Sequence, residues 1–248
     1  MTRPHARPAR VPKPSHRCAL ALTLMALAAQ AHAAPVSFGS GLRSTTALSV
    51  IGELSGPEDT ALTTTLDGAP WTSRSMLSDG GVSADAYAGV STQSLNARAL
   101  LQFDADAKAP RDASAMGGAT FLGVFDISQP GTVTLSLDYA PVATGTAGTD
   151  LSVTLKLGDD QVLDQVLTQA GHYSWSFASG AWSSGTLGLT LNAYAALMST
   201  PGPTPGLAHA EANALFALDA APVPEPAAGV LLALGLGLVH AARRRTAR

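Results

Sequence analysis

Period-two alternation of apolar residues is the feature that most narrows what this chain can fold into. Val133, Leu135, Leu137 and Tyr139 interleave with Thr134, Ser136 and Asp138, directly after Gln129-Pro130-Gly131. Successive side chains of a strand point to opposite faces, so such a segment buries one face and wets the other. Leu151, Val153, Leu155 and Leu157 repeat the pattern up to Gly158-Asp159-Asp160. Tyr173, Trp175 and Phe177 follow Gly171, and Leu187, Leu189 and Leu191 follow Gly185. Further strands are predicted over 47–51, 61–66, 95–103, 119–127 and 213–218. Short strands punctuated by Gly, Pro and Asp predict an all-β fold, an antiparallel β-sandwich of jelly-roll type.

Within that pattern, 121–127 is apolar in both registers, because Leu122 and Val124 fill the alternate positions, so it is predicted to be a central strand buried on both faces. Segment 95–103 fits a strand or a helix turn equally well. The run 199–206, Ser-Thr-Pro-Gly-Pro-Thr-Pro-Gly, is a stiff surface loop before the last strand, or a linker if that strand does not form.

Composition excludes several classes. Charged residues make up 13% of the 248, about half the usual share, whereas the apolar fraction of 46% is ordinary, so neither a disordered tail nor a coiled coil fits. The formal net charge of −3 is unevenly spread. Residues 1–33 carry five basic residues and no acid, and 223–248 carry four arginines against Glu225. The middle holds six basic residues against seventeen acids. A nucleic-acid partner is not expected, because phosphate neutralisation needs Lys/Arg clusters that this body lacks.

The basic start reads as an export signal over 1–33. Arg3, Arg7, Arg10, Lys13 and Arg17 precede the apolar run 19–29, and Ala31-His32-Ala33 supplies the small-residue exit, so signal peptidase is expected to cut between Ala33 and Ala34. Eleven apolar residues span roughly 16 Å as a helix, too short for a hydrocarbon core of roughly 30 Å. Cys18 precedes the apolar run, whereas a lipid-bearing cysteine would follow it, so no lipid anchor is expected. Removal of 1–33 leaves no cysteine, and stability in an oxidising compartment must come from packing and sheet hydrogen bonds.

The other end, 220–248, has three parts in order: Val223-Pro224-Glu225-Pro226, an apolar stretch 227–242, and an arginine cluster opened by Arg243, Arg244 and Arg245. Prolines at 222, 224 and 226 hold the approach extended, as a peptide in a protease cleft must be. The sixteen apolar residues reach roughly 24 Å as a helix, enough to span a thinned bilayer with snorkelling arginines held on the cytoplasmic side. An ordinary C-terminal anchor would need only the last two parts. The whole tail resembles the PEP-CTERM sorting signal. The resemblance implies that an exosortase, a membrane-embedded cysteine transpeptidase-like enzyme of Gram-negative bacteria that make exopolysaccharide, recognises Pro224, Glu225 and Pro226, with the arginines as the retention element. It covers about 26 residues and implies an address, from a transient inner-membrane anchor to the cell surface or extracellular matrix. The intervening body, 34–219, is similar in composition to other ectodomains of that family, often Gly/Ser/Thr-rich β-sandwiches.

The body offers little for catalysis. His172 and His209 are its only histidines, and no Gly-x-Ser-x-Gly elbow, His-Glu-x-x-His, Walker loop or cysteine nucleophile is present. Asp104-x-Asp106 fails as an EF-hand because Lys108, Ala109 and Ala115 stand where ligands and glycine belong. Asp159-Asp160 reads as hairpin-turn chemistry. Irregular oxygen cages of the kind Ca²⁺ accepts leave no signature in sequence. No enzyme, cofactor or metal site is therefore expected. Tyr173, Trp175 and Phe177 share one strand face with Trp182 nearby. In a core such a row supplies bulk; exposed, it would stack on sugar rings, and the chain would be a carbohydrate-binding module tied to exopolysaccharide.

Overall fold

The computed structural model describes residues 33–104, 112–180, 182–198 and 206–222, with one helical turn at 235–237. Strands in chain order are β1 (Ala34–Pro35), β2 (Phe38–Ile51), β3 (Leu54–Ser55), β4 (Asp59–Thr63), β5 (Trp71–Asp79), β6 (Val82–Val90) and β7 (Ser94–Phe103). Then follow β8 (Asp112–Asp126), β9 (Gly131–Thr144), β10 (Ala147–Leu157), β11 (Asp160–Leu167), β12 (Gly171–Ala178), β13 (Ser184–Met198) and β14 (Gly206–Pro222). They form two antiparallel sheets. One runs β12-β9-β14-β7-β6-β5 with β1 beside β14; the other runs β11-β10-β13-β8-β2-β3 with β4 beside β2. From β7 onwards the chain mostly alternates between sheets, so the two inner faces are assembled from interleaved stretches of sequence.

The expected alternation is what closes the sandwich. Val133, Leu135, Leu137 and Tyr139 point inward from β9, and Leu151, Val153, Leu155 and Leu157 from β10; all are buried. Leu187, Leu189 and Leu191 of β13 complete this thick, leucine-rich half. The other half is thin. Ala84, Ala86 and Ala88 of β6 and Ala97 and Ala99 of β7 face β8, where Gly117 lies so close that a Cβ on it would meet the Tyr87 and Arg98 carbonyl oxygens. Small inner residues here let the sheets approach, and a methyl at 117 would force them apart.

A third zone, between β2 and β5, is polar. Thr45 Oγ1 and Ser73 Oγ are 2.7 Å apart, and Ser49 Oγ donates to the Ser75 carbonyl at 2.9 Å. Arg43 is fully buried at the end of this zone. Its guanidinium donates to the carbonyls of Thr65 (2.8 and 3.0 Å), Asp67 (3.1 Å) and Ala69 (3.4 Å), tying the β4–β5 loop to the sheet.

Two sequence expectations change, and one open reading is decided. The segment 121–127 is not buried on both faces: Phe121 and Phe125 are inside, but Leu122 and Val124 are 40% and 37% exposed on an outer face over which the described residues place no further layer. An antiparallel sheet in a two-layer sandwich has one dry face, however apolar the other register is. The strand expected at 61–66 is instead β4 at Asp59–Thr63, and Leu66 is buried from the loop that Arg43 holds. Segment 95–103, which could be read either way, is a strand, β7.

The expected signal segment up to residue 32, with Ala31, lies outside the described residues, as do Pro224, Glu225 and Pro226, the arginines 243–245 and the run 199–205. The expected helix 227–242 lies outside them too, apart from the turn at 235–237. Among the described residues no helix is long and apolar enough to cross a membrane.

Candidate functional site

The two ends of the folded body meet on one strand. β7 begins at Ser94, whose partner Leu215 is the last residue of β14 paired with it, and Gln93 accepts the Phe216 amide at 2.9 Å. Beyond it the vacant edge of β14 is taken by the start of the body: Val36 donates to the Leu218 carbonyl at 2.8 Å, Pro35 lies opposite Asp219, and Ala34 opposite Ala220. Ala33 and Ala34, which flank the expected signal-peptidase bond, are exposed, and so is Pro222, the last residue of β14. A concavity of about 260 Å³ lies beneath this corner, lined by Val36, Phe38, Leu66, Asp67, Phe216 and Leu218 among others.

The aromatic row sits elsewhere. Tyr173, Trp175 and Phe177 project from the inner side of β12, an edge strand, and are partly buried against the core, as is Trp182, which lies over Gly158. Tyr173 and Trp175 stack at 5.7 Å with rings 8° from parallel, and Tyr173 Oη donates to the Gln169 carbonyl. Edge position explains their half-burial: the sheet ends beside them. The row packs as core while keeping one side at the sandwich margin.

The two histidines do not converge. His172 Nδ1 is 2.8 Å from Asp138 Oδ1 across the exposed β12–β9 pair. His209, on β14, is 3.5 Å from Glu211 and lies six residues, roughly 20 Å along the strand, from Leu215, the β14 residue in the Asp138 row. Asp159 is in the β10–β11 turn and Asp160 opens β11, as turn chemistry suggested. No group of three His, Cys, Asp or Glu that could hold a metal occurs among the described residues.

A polar cluster on the outer face of β5, β6, β7 and β14 was not foreseen from sequence. Asp85, 14% exposed, accepts from Arg74 at 3.1 and 3.2 Å and from Arg98 at 2.6 Å. Hydrogen bonding to Asp85, and then its charge, raise the Arg74 pKa further above its ordinary value. Beside this network a concavity of about 330 Å³ is lined by Tyr87, Asn96, Ala97, Arg98, Glu211, Ala212 and Asn213. Register explains the grouping: Tyr87, Arg98 and Glu211 form one cross-strand row, and Gly89, Asn96 and Asn213 the next. A Cβ on Gly89 would stand 3.0 Å from Tyr87 Oη, so the tyrosine leans across the space that the glycine leaves. These positions are polar on alternate residues of three strands, a pattern that any wet sheet face shares, which is why sequence alone did not single them out.

No protein-family profile matches the chain, and no curated protein matches it. Among solved structures it is similar to that of the infectious bursal disease virus Gx strain, at 12% identity over 77% of this chain and 58% of that one, with a TM-score of 0.23. The infectious bursal disease virus VP2 subviral particle follows at 10% identity, over 78% and 68% of the two chains, TM-score 0.21. An alpha-xylosidase of family GH31 from Xanthomonas citri is matched at 6% identity over 78% and 38%, TM-score 0.17. The chain thus spans about three-fifths of the first of these. Scores this low carry no argument about activity or partners.

Proposed function

We propose that this is an exported, non-enzymatic cell-surface or extracellular-matrix protein of a Gram-negative bacterium, whose jelly-roll-like ectodomain is sorted through a PEP-CTERM tail. Signal peptidase frees Ala34; the helix 227–242 then holds the precursor in the inner membrane until an exosortase acts at Pro224-Glu225-Pro226. The observation that carries the reading is the ordered tripartite tail beside an independent export signal in one chain. The strand pairing supports it: Ala34 and Ala220 are neighbours, so the described body begins and ends at one corner.

Glu225 is the charged member of the motif and the test. In the native host the wild-type protein is expected to leave the inner-membrane fraction, and Glu225→Ala to accumulate there uncut. A Glu225→Ala protein released and localised like wild type overturns the assignment of the motif.

A further inference from the structure

We infer that the outer face of β6, β7 and β14 carries a binding site for a neutral saccharide, built by Tyr87, Asn96, Arg98, Glu211 and Asn213. It lies away from the aromatic row of β12 and does not depend on how the chain is sorted.

Placement comes first. Adjacent strands lie about 4.8 Å apart and alternate residues about 6.8 Å along a strand, so two consecutive rows on three strands cover roughly 10 by 7 Å, the footprint of one or two sugar rings. Asn96 and Asn213 are direct cross-strand partners, and Arg98 lies opposite both Tyr87 and Glu211. The thin sandwich fixes this floor, because Gly117 of the opposite sheet presses against the Tyr87 and Arg98 carbonyls. The site therefore rests on central strands rather than on loops, and needs no rearrangement to exist.

The chemistry selects the ligand class. Each sugar hydroxyl donates one hydrogen bond and accepts two. Two primary amides, a guanidinium and a carboxylate on adjacent cross-strand rows offer both donors and acceptors, while the half-buried Tyr87 ring supplies an apolar surface for the C–H face of a ring. Arg98, a lining residue, also keeps its Nε shielded from solvent with no hydrogen-bond partner among the described residues. An unmet buried donor is costly and is commonly satisfied by water or ligand.

Charge excludes the main competitor. Arg74 and Arg98 are balanced by Asp85 and Glu211, so the patch is formally neutral, and Asp85 already occupies an Arg98 nitrogen at 2.6 Å. A phosphate, sulfate or polyuronate would meet a guanidinium already neutralised by that carboxylate, with Glu211 beside it, on a body bearing six basic residues against seventeen acids.

The test is titration of the full chain, held in a non-glycosidic detergent, with neutral oligosaccharides of glucose, galactose and mannose, and with a polyuronate oligosaccharide as the acidic arm. Saturable binding of a neutral oligosaccharide is expected, weakened by roughly tenfold or more in Tyr87→Ala and in Asn213→Ala, since Tyr87 supplies a stacking face and Asn213 one good hydrogen bond. Asn213 is exposed, so Asn213→Ala should unfold at the wild-type temperature, separating loss of ligand from loss of fold. Absence of binding to every neutral oligosaccharide overturns the proposal. So does binding that both variants retain, or binding confined to the polyuronate and abolished by salt. None of these outcomes touches the sorting reading, which Glu225→Ala tests by itself.

Discussion

Ala34 lies directly opposite Ala220, so the first residue expected after export is a strand partner of the segment that leads into Pro224. The N-terminal stretch repairs the edge that β7 leaves open, through Val36 donating to Leu218 and the short β1 pairing. Two paired residues form a weak clip compared with the long β14–β9 ladder on the other side. Deleting 34–37 should therefore free one edge of 218–220 without unfolding the sheet. Amide exchange is expected to rise by about tenfold or more at Ala220, which faces the clip, and to stay unchanged at Asp219, which faces β9, and at 208–214, where β7 still pairs. Exchange at Ala220 unchanged from wild type would show that the clip contributes nothing.

Arg43 is a buried cation whose partners are backbone carbonyls rather than a carboxylate, so its role is to hold the 64–70 loop over the polar end of the core. Replacing it leaves those carbonyls unpaired and opens a cavity. Arg43→Ala is expected to cost about 3 kcal/mol or more of stability, read from denaturant midpoints, with proteolysis beginning in the 64–70 loop. A loss below about 1 kcal/mol would mean that the loop finds water in place of the guanidinium.

Burial, and secondarily the nearby Asp150 and Tyr173, raise the Tyr139 pKa above its ordinary value of 10.0, although its hydrogen bond to Thr149 opposes the shift. An acid whose folded pKa is raised binds its proton more tightly in the native state. Stability from this group is therefore intact below about pH 10, and is lost progressively as pH climbs from the unfolded tyrosine pKa through the folded one. Tyr139→Phe should flatten that alkaline decline while lowering neutral stability by about 1 kcal/mol for the missing hydrogen bond. An identical alkaline slope in the variant would assign the decline to other groups.

How much of this fold can be read from sequence depends on side-chain size. Leucine-rich strands such as 151–157 and 187–191 announce themselves by alternation, and they do form the thick half of the core. The β5–β6 hairpin does not, because between Val82 and Val90 its inward residues on β6 are Ala84, Ala86 and Ala88, facing alongside Ser73 and Ser75 of β5, small side chains that only a close sheet-to-sheet approach makes into core. Its one strong signal is Asp79-Gly80-Gly81, whose glycines both have positive φ, as a two-residue hairpin turn requires. Arg43 is equally hidden, since nothing local distinguishes an arginine that turns inward. Leu122 and Val124 mislead for the opposite reason: apolar character in a register does not bury it when the described residues form only two layers. The polar patch around Asn96 and Asn213 depends on cross-strand register between segments more than a hundred residues apart, which no local pattern encodes.

What becomes of the two ends separates a sorted protein from a merely anchored one, and intact mass of the protein from membrane and extracellular fractions of its native host reads both ends at once. The expected species begins at Ala34 and ends near Pro224–Pro226, with or without an attached mass, in the surface or extracellular fraction. A species that begins at Ala34 but still carries Arg248 would contradict sorting and leave an ordinary tail-anchored ectodomain.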